Sequence, residues 1–324
     1  MRLLSNKSFF LSLVLLLFSL GCKRAIQSEA RGSNQSEVQE HIERVIPQNK
    51  ELNSSNLPKT RFNTSSQGIS IVSWNIQYLG RTKTPEDILE IANIVRDFDI
   101  VAIQEVVAIN PSGAQAVAKI ADELNRMGFK WDYQISDPTK SPSSNISERY
   151  AFFWKTSRVS LIHRAYLDKE LEDICYREPY IAAFKAKGKS KTFYVVNYHS
   201  RTYKDKPEEE IIHFIDYPKR LDSDRIIIAG DFNLTERHDV WRPLYRNGFR
   251  NALSNQRTTL RRKCKNGDYL SRAIDNIYFL PGIKMLQARS LDFVQNCDNL
   301  KRAQEISDHL PVYMEFKIEA ENDI

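Results

Sequence analysis

From Ile69 onward, short apolar runs recur along the chain, and most of them end on a polar residue. The clearest, Ile226–Ile227–Ile228–Ala229, has no polar alternation and reads as a strand buried on both faces. It leads into Gly230–Asp231–Phe232–Asn233, which presents Asp231 and Asn233 at its carboxyl edge. Ile69–Val72 runs in the same way into Ser73–Trp74–Asn75, and Asp99–Ile103 into Gln104–Glu105. Tyr180–Phe184 and Thr192–Tyr198 predict a hairpin through Lys187–Gly188–Lys189, with His199 following the second arm. Further strands are expected at Tyr150–Trp154, Val159–Ile162, Ile274–Leu280, Ala288–Phe293 and Pro311–Ile318.

Helical spacing is rarer. Thr84 as N-cap, Pro85 at the first position and the stripe Ile88, Ile91, Ala92, Val95 predict one helix. Others are expected from Ala114 to Met127, closed by Gly128, from Pro207 to Tyr217, and from Asp239 to Arg246, stopped near Gly248. Long strands with few helices predict two sheets packed face to face, helices outside, and loops from both sheets meeting at one rim.

The N-terminal segment differs in kind. Basic Arg2 and Lys7, the apolar stretch Phe9 to Leu20, and Gly21 before Cys22 have the form of a secretory signal. The stretch is short for a membrane span, which needs roughly 20 apolar residues. Gly21–Cys22 is similar to the lipobox of bacterial lipoproteins, with Ser19 where that motif usually has Leu. Two readings follow: a lipid anchor at Cys22 that ties the protein to the cell envelope, or plain secretion with Cys22 incidental. Residues 22–67 are polar and read as a flexible tether, with a weak helix at Val38–Ile46. Residues 68–320 then form one domain, with no linker-like break and no repeat.

The formal charge of +6 favours an anionic partner, although so modest an excess also serves solubility. The local run Arg257, Arg261, Arg262, Lys263, Lys265 is more pointed, as a phosphate-tracking patch or a solvated loop. Cys175, Cys264 and Cys297 outside the cytoplasm allow one disulfide and one thiol. Cys264 with Cys297 is the expected pair because both flank one late segment, and the sequence alone leaves the choice open. No Cys or His spacing suggests zinc.

Each edge motif alone is weak, since polar residues at strand ends are usually turn formers. The ordered set is not. Ser73–Trp74–Asn75–Ile76, Asp99 to Val106 and Glu148–Arg149–Tyr150 are followed by Arg177–Glu178–Pro179, Tyr198–His199–Ser200 and Gly230 to Asn233. Ile274–Asp275 and Ser307–Asp308–His309–Leu310–Pro311–Val312 complete it. Together they resemble the endonuclease/exonuclease/phosphatase superfamily, most closely its deoxyribonuclease I branch. The resemblance implies a four-layer α/β sandwich and metal-dependent phosphodiester hydrolysis, with DNA as the favoured substrate and no protein partner.

It also implies roles. Glu105 is the principal metal carboxylate with Asn75 beside it, and Asp308 joins them or holds a second ion. Asp231 and Asn233 orient the attacking water and a phosphate oxygen. His309, paired with Asp275, is a base or a positive clamp, and His199, paired with Glu148, is the other acid/base. Arg177 contacts phosphate. From the residues themselves, Arg201 is expected to track a phosphate backbone and Tyr150 to belong to the core or to the substrate wall of the cleft. Glu105, Asp231, Asp275 and Asp308 gathered in one cleft would repel, by about 4 kcal/mol per pair at 4 Å and an effective dielectric near 20. A hard divalent cation relieves this: Mg²⁺, with Mn²⁺ or Ca²⁺ as alternatives. His41, His163, His213 and His238 match nothing and are assigned to surface or packing.

Departures from the deoxyribonuclease I pattern fall where duplex DNA is gripped: Gln77 and Val107 stand for arginines and Ile146 for a tyrosine. Two other readings therefore stay open. One is a phosphoesterase of lipid headgroups, of the sphingomyelinase or phosphoinositide phosphatase type. Neither a long aromatic hairpin nor a Trp-Cys-Asp-Arg-like motif is present to favour it. The other is a non-catalytic nucleic-acid binder, against which the full set of acids and histidines argues.

Overall fold

A strand that is apolar on both faces must be covered on both, and this requirement organises the molecule. The computed structural model describes residues 68–189 and 191–318. The expected signal, the Cys22 anchor, the tether and the Val38–Ile46 helix lie outside these residues. In chain order come β1 (Ile69–Leu79), β2 (Ile100–Val107), β3 (Trp131–Ile135) and β4 (Glu148–Lys155). Next are β5 (Val159–Leu161), β6 (Tyr166–Leu167), β7 (Tyr180–Ala186), β8 (Thr192–His199), β9 (Ile226–Asp231) and β10 (Arg250–Asn251). β11 (Leu260–Lys265) and β12 (Asp268–Leu270) form a hairpin of their own, followed by β13 (Asp275–Phe279), β14 (Ile283–Ser290) and β15 (Val312–Ile318). Among the described residues the first sheet runs β14-β15-β1-β2-β4-β3. The second runs β10-β13-β9-β8-β7-β5, with β6 also on β7.

Alternate residues of the central strands face different layers. Ile71, Ile100, Ala102, Ile227 and Ala229 fill the space between the sheets. Val72, Trp74, Val101 and Ile103 point outward to α1 (Pro85–Val95) and α2 (Ser112–Arg126). On the far side, Ile226 and Ile228 meet the layer of α3 (Glu208–Ile211), α4 (Tyr217–Arg220) and α5 (Trp241–Arg246). α6 (Leu300–Ile306) joins the first outer layer through Leu300, Ala303 and Ile306. The result is a four-layer α/β sandwich, as expected.

Local signals explain most elements. Thr84 and Asp87 close a capping box on α1, with Thr84 N–H to Asp87 Oδ2 at 2.8 Å and Asp87 N–H to Thr84 Oγ1 at 3.2 Å. Two expectations fail. The helix expected over Pro207–Tyr217 breaks into α3, a 3₁₀ turn at Ile212–Asp216, and α4; Pro218 in the first turn of α4 has no N–H to bond back to the Phe214 carbonyl, which separates α4 from the turn before it. The strand expected at Ala288–Phe293 lies earlier, at β14. Leu291 and Phe293, which carried the apolar signal, belong to the loop that plugs the first outer layer.

Candidate active site

Strand register brings the polar ends together. Parallel pairing sets His199 of β8 opposite Asp231 of β9, and antiparallel pairing sets Asp275 of β13 opposite Asp231 in turn. Three adjacent strands thus end at one rim with chemistry-bearing side chains in line. Gly230 makes this possible: a Cβ there would lie 1.7 Å from the Tyr198 carbonyl oxygen, so only glycine allows the approach of β8 and β9.

The first sheet answers from the other side. Asn75 of β1 lies opposite Gln104 of β2, and the register shifts just beyond, between Asn75 and Leu79 and between Ile103 and Val106. The irregularity holds Glu105 at φ 59° and Tyr78 at φ 51°. Such left-handed conformations cost roughly 1–3 kcal/mol in a residue other than glycine and persist where surroundings enforce them. Here the Glu105 carboxylate accepts from Asn75 Nδ2 at 3.0 Å and from Tyr78 N–H at 3.2 Å. Asn75 Nδ2 also reaches Asp231 Oδ2 at 3.3 Å, linking the sheets across the rim. Below it, Gln104 Nε2 donates to Asn197 Oδ1 at 2.6 Å, and Asn197 Nδ2 donates to the carbonyls of Ile103 and Ala151 at 3.1 and 3.2 Å.

Two histidine–carboxylate pairs face the same aspartate. His199 Nδ1 is 2.9 Å from Glu148 Oε1, and His309 Nδ1 is 2.9 Å from Asp275 Oδ2. Their Nε2 atoms lie 3.6 and 3.8 Å from Asp231 Oδ2, too far to be hydrogen-bonded to it. Neither Nε2 is hydrogen-bonded to that carboxylate, and both face it. Burial opposes charge on His309, yet Asp275 and Asp231 outweigh it and push its pKa up to about 10. For His199, burial and the Arg177 guanidinium both oppose the charge, and Glu148 with Asp231 still leaves the pKa raised.

Buried neighbours hold these pairs in place. Thr258 Oγ1 donates to Asp275 Oδ2 at 2.6 Å, Ser307 Oγ accepts the His309 N–H at 3.1 Å, and Trp74 Nε1 donates to the His309 carbonyl at 2.8 Å. Sequence reasoning passed over Thr258 and Asn197, and named Gln104 in an edge motif without giving it a role. Asn197 was visible as a polar residue inside the apolar run Phe193–Tyr198, whereas Thr258 carried no local signal. It also passed over Lys83, a half-buried amine whose ammonium is disfavoured by burial and favoured by Asp87, Glu105 and Asp308.

The oxygens suit a hard cation at Glu105 and Asn75. Asn75 Oδ1 is buried with no hydrogen-bond partner, and a cation supplies what the protein does not. Asp308 is half-buried and close enough for Lys83 to sense it together with Glu105. A second grouping, Asp231, Asp275 and His309, has ligand atoms within 4.8 Å of one another. There Asp275 and the His309 Nδ1 are already bonded to each other, which favours proton handling over ion binding. Asn233, at φ 51°, donates its N–H to Asp231 Oδ1 at 2.9 Å and so orients that carboxylate.

Of its two expected places Tyr150 takes the core, and the expected substrate contact of Arg201 is corrected. Tyr150 is fully buried in the layer between the sheets and accepts the His199 N–H at 3.2 Å, so it supports the histidine from below. Arg201 has its guanidinium engaged by Glu210 at 2.8 Å and by the Ile174 carbonyl at 2.6 Å, with its face over Tyr176, which makes it a loop clamp. Arg177 lies 3.3 Å from Glu148 and donates to the Ser200 carbonyl at 2.9 Å. The basic run from Arg261 to Lys265 lies on the strand β11, not in a loop, with Arg257 just before it. Arg257 and Arg261 pair with Asp268 at 2.7 and 3.1 Å, while Arg262, Lys263 and Lys265 are exposed. Cys264 and Cys297 are disulfide-bonded, and Cys175 is a buried thiol.

Comparison with known proteins identifies the family. Residues 72–298 match the model of the Endonuclease/Exonuclease/phosphatase family. A deoxyribonuclease of Thioalkalivibrio sp. (strain K90mix) is 29% identical over 184 residues, 53% of this chain and 48% of that protein. Deoxyribonuclease-1-like 1 of Sus scrofa is 26% identical over 174 residues, 52% of this chain and 54% of that protein. The matches thus span about half the length of these curated relatives. Among solved structures, an endonuclease/exonuclease/phosphatase from Bacteroides vulgatus superposes with a TM-score of 0.55 at 18% identity, covering 78% of this chain and 99% of that one. A mannosyl-6-phosphatase of Bacteroides thetaiotaomicron gives 0.57 at 16% identity, covering 77% and 100%. These neighbours share the fold. The family match extends over most of the described residues: the chain belongs to the endonuclease/exonuclease/phosphatase family, whose members hydrolyse phosphoester bonds.

Proposed function

We propose that this chain is an exported, divalent-metal-dependent phosphodiesterase that cleaves DNA. The observation that carries the reading is the convergence of two histidine–carboxylate pairs on Asp231, with Glu105 and Asn75 alongside. Diester hydrolysis needs a positioned water, a proton acceptor, and compensation for charge on the phosphoryl and leaving oxygens. When bound at Glu105 and Asn75, with Asp308 near, a hard cation such as Mg²⁺ supplies positive charge to those oxygens.

The protein's own groups divide the rest. Asp231, fixed by the Asn233 N–H, orients the attacking water. His199 takes its proton, with Glu148 behind Nδ1 to stabilise the imidazolium that forms. His309, kept protonated by Asp275 and Asp231, donates from Nε2 to a non-bridging phosphate oxygen and holds it as charge builds. Arg177 beside Glu148 limits how strongly His199 retains a proton, which keeps it able to act as a base.

Two deoxyribonucleases among the relatives, the excess of basic residues and the exposed Arg262, Lys263 and Lys265 support a nucleic-acid substrate. The Cys264–Cys297 disulfide fits an oxidising compartment, as does the apolar N-terminal stretch before Cys22, where a lipid would tie the protein to the envelope. The test is a substrate panel: the full chain with Mg²⁺ and plasmid DNA, single strands, RNA, sphingomyelin or phosphoinositides. Plasmid nicking that chelator abolishes is expected. Release of phosphocholine or phosphate without nicking would replace the reading by a headgroup phosphoesterase. DNA retained on a filter without turnover of any substrate would replace it by a binding module.

A further inference from the structure

Next to Glu105 the rim opens into a cleft of about 330 Å³ whose wall includes Glu105, Glu148 and Arg177. That volume sits at the low end of small-molecule pockets, roughly 300–1,000 Å³, and has room for one ring system. The rest of the lining is neutral. Gln77, Val107 and Ile146 offer no charge, and Arg177 is already engaged by Glu148 and by the carbonyls of Ile146 and Ser200. A duplex is held by cations that meet two phosphate backbones, and this wall does not provide them.

What the cleft provides instead is a ring face. Tyr78 is 65% exposed and Ile109 68%, two large apolar side chains in solvent at the mouth of a polar site. Tyr78 is not there through slack. Its φ of 51° is left-handed, and its N–H is bonded to the Glu105 carboxylate at 3.2 Å. The irregularity that presents Glu105 to the site therefore presents the Tyr78 side chain to solvent. Amide and hydroxyl groups of Asn145 and Ser144 on the opposite segment suit the hydrogen-bonding edges of a base better than an acyl chain.

We infer that this cleft seats an unpaired nucleobase flanking the scissile phosphate, stacked on Tyr78, and that the protein cuts unpaired strands in preference to duplex. The inference rests on the phosphodiesterase reading above and narrows its substrate.

The test compares kcat/KM of the full chain with Mg²⁺ on a labelled single-stranded DNA, its RNA counterpart, the same DNA strand annealed to its complement, and bis-nitrophenyl phosphate. The single strands should exceed the duplex by roughly tenfold or more, the scale of one base–aromatic stack. Tyr78→Ala should lower the single-strand value by about the same factor and shrink that ratio. Ile109→Ala, which leaves the bond to Glu105 intact, should move the ratio in the same direction, and thermal melting verifies that both variants fold. Val107→Arg should shift the ratio toward duplex. Equal or better cleavage of duplex by the wild-type chain, or a ratio unmoved by both alanine variants, overturns the inference. Turnover of the nitrophenyl diester without strand preference leaves the phosphodiesterase reading standing while the inference falls. No turnover of any diester removes both.

Discussion

The two histidine pairs are matched in their distances and unequal in surroundings. Each imidazole has a carboxylate behind Nδ1 and Asp231 in front of Nε2. His309 has further acids around it and is pushed up to about 10. His199 has the Arg177 guanidinium in its field, which works with burial against the proton. Two imidazoles at matched distances from their carboxylates are thus tuned apart by an additional acid, Asp308, near His309 and a neighbouring cation, Arg177, near His199. The lesson is that the pair is not a duplicate: one member is built to stay charged, and the other to exchange a proton.

Removing what the pairs share should have the largest effect. Asp231→Ala should lower kcat by roughly 10³–10⁴-fold, at the upper end of the range for acid–base groups, with the far-UV spectrum unchanged. Near-normal turnover of a nitrophenyl diester by this variant would mean the site is misplaced. Thr258→Val removes one buried bond to the Asp275 carboxylate; at about 1.5–3 kcal/mol for a hydrogen bond to a charged group, kcat should fall roughly 10–100-fold. An unchanged rate would show that Asp275 needs no such support. Arg177→Gln should act on one pair only. With the opposing cation gone, His199 holds its proton to higher pH, so the acid limb of the pH–rate profile moves to the alkaline side. A profile that stays in place removes the proposed division of labour.

The smallest effect concerns stability in chelator. The His309 proton is held more tightly in the folded chain than in the unfolded one. Its contribution is complete below the ordinary imidazole pKa near 6.5 and is lost as pH rises toward about 10. The melting temperature should therefore fall by a few degrees over that window, and His309→Gln should flatten the slope. A wild-type and a variant slope that coincide would contradict the tuning.

Much of this was visible along the chain, for reasons that also mark the blind spots. Central strands such as Ile226–Ala229 must be apolar on both faces, so they stand out, and the polar residues that end them fall at the rim by construction. Edge elements lack that signature. β3 exposes Asp132 and Tyr133, β14 exposes Lys284 through Gln287, and the charged β11 resembles a solvated loop. Side chains that act through a distant partner were also hidden. Nothing beside Thr258 announces that it will meet Asp275, seventeen residues on. Arg201 and Tyr150 show the converse: a suggestive position near a motif, but with the side chain turned to packing.

The crossed amides of Gln104 and Asn197 bear on how the protein works over a catalytic cycle. They tie the first sheet to the second directly beneath the reacting groups. Scissoring of the halves is thereby forbidden at the one place where it would disturb alignment. Turnover should proceed on a fixed anvil, with loaded and empty forms superposing closely and only side chains at the cleft mouth adjusting as strands arrive and leave.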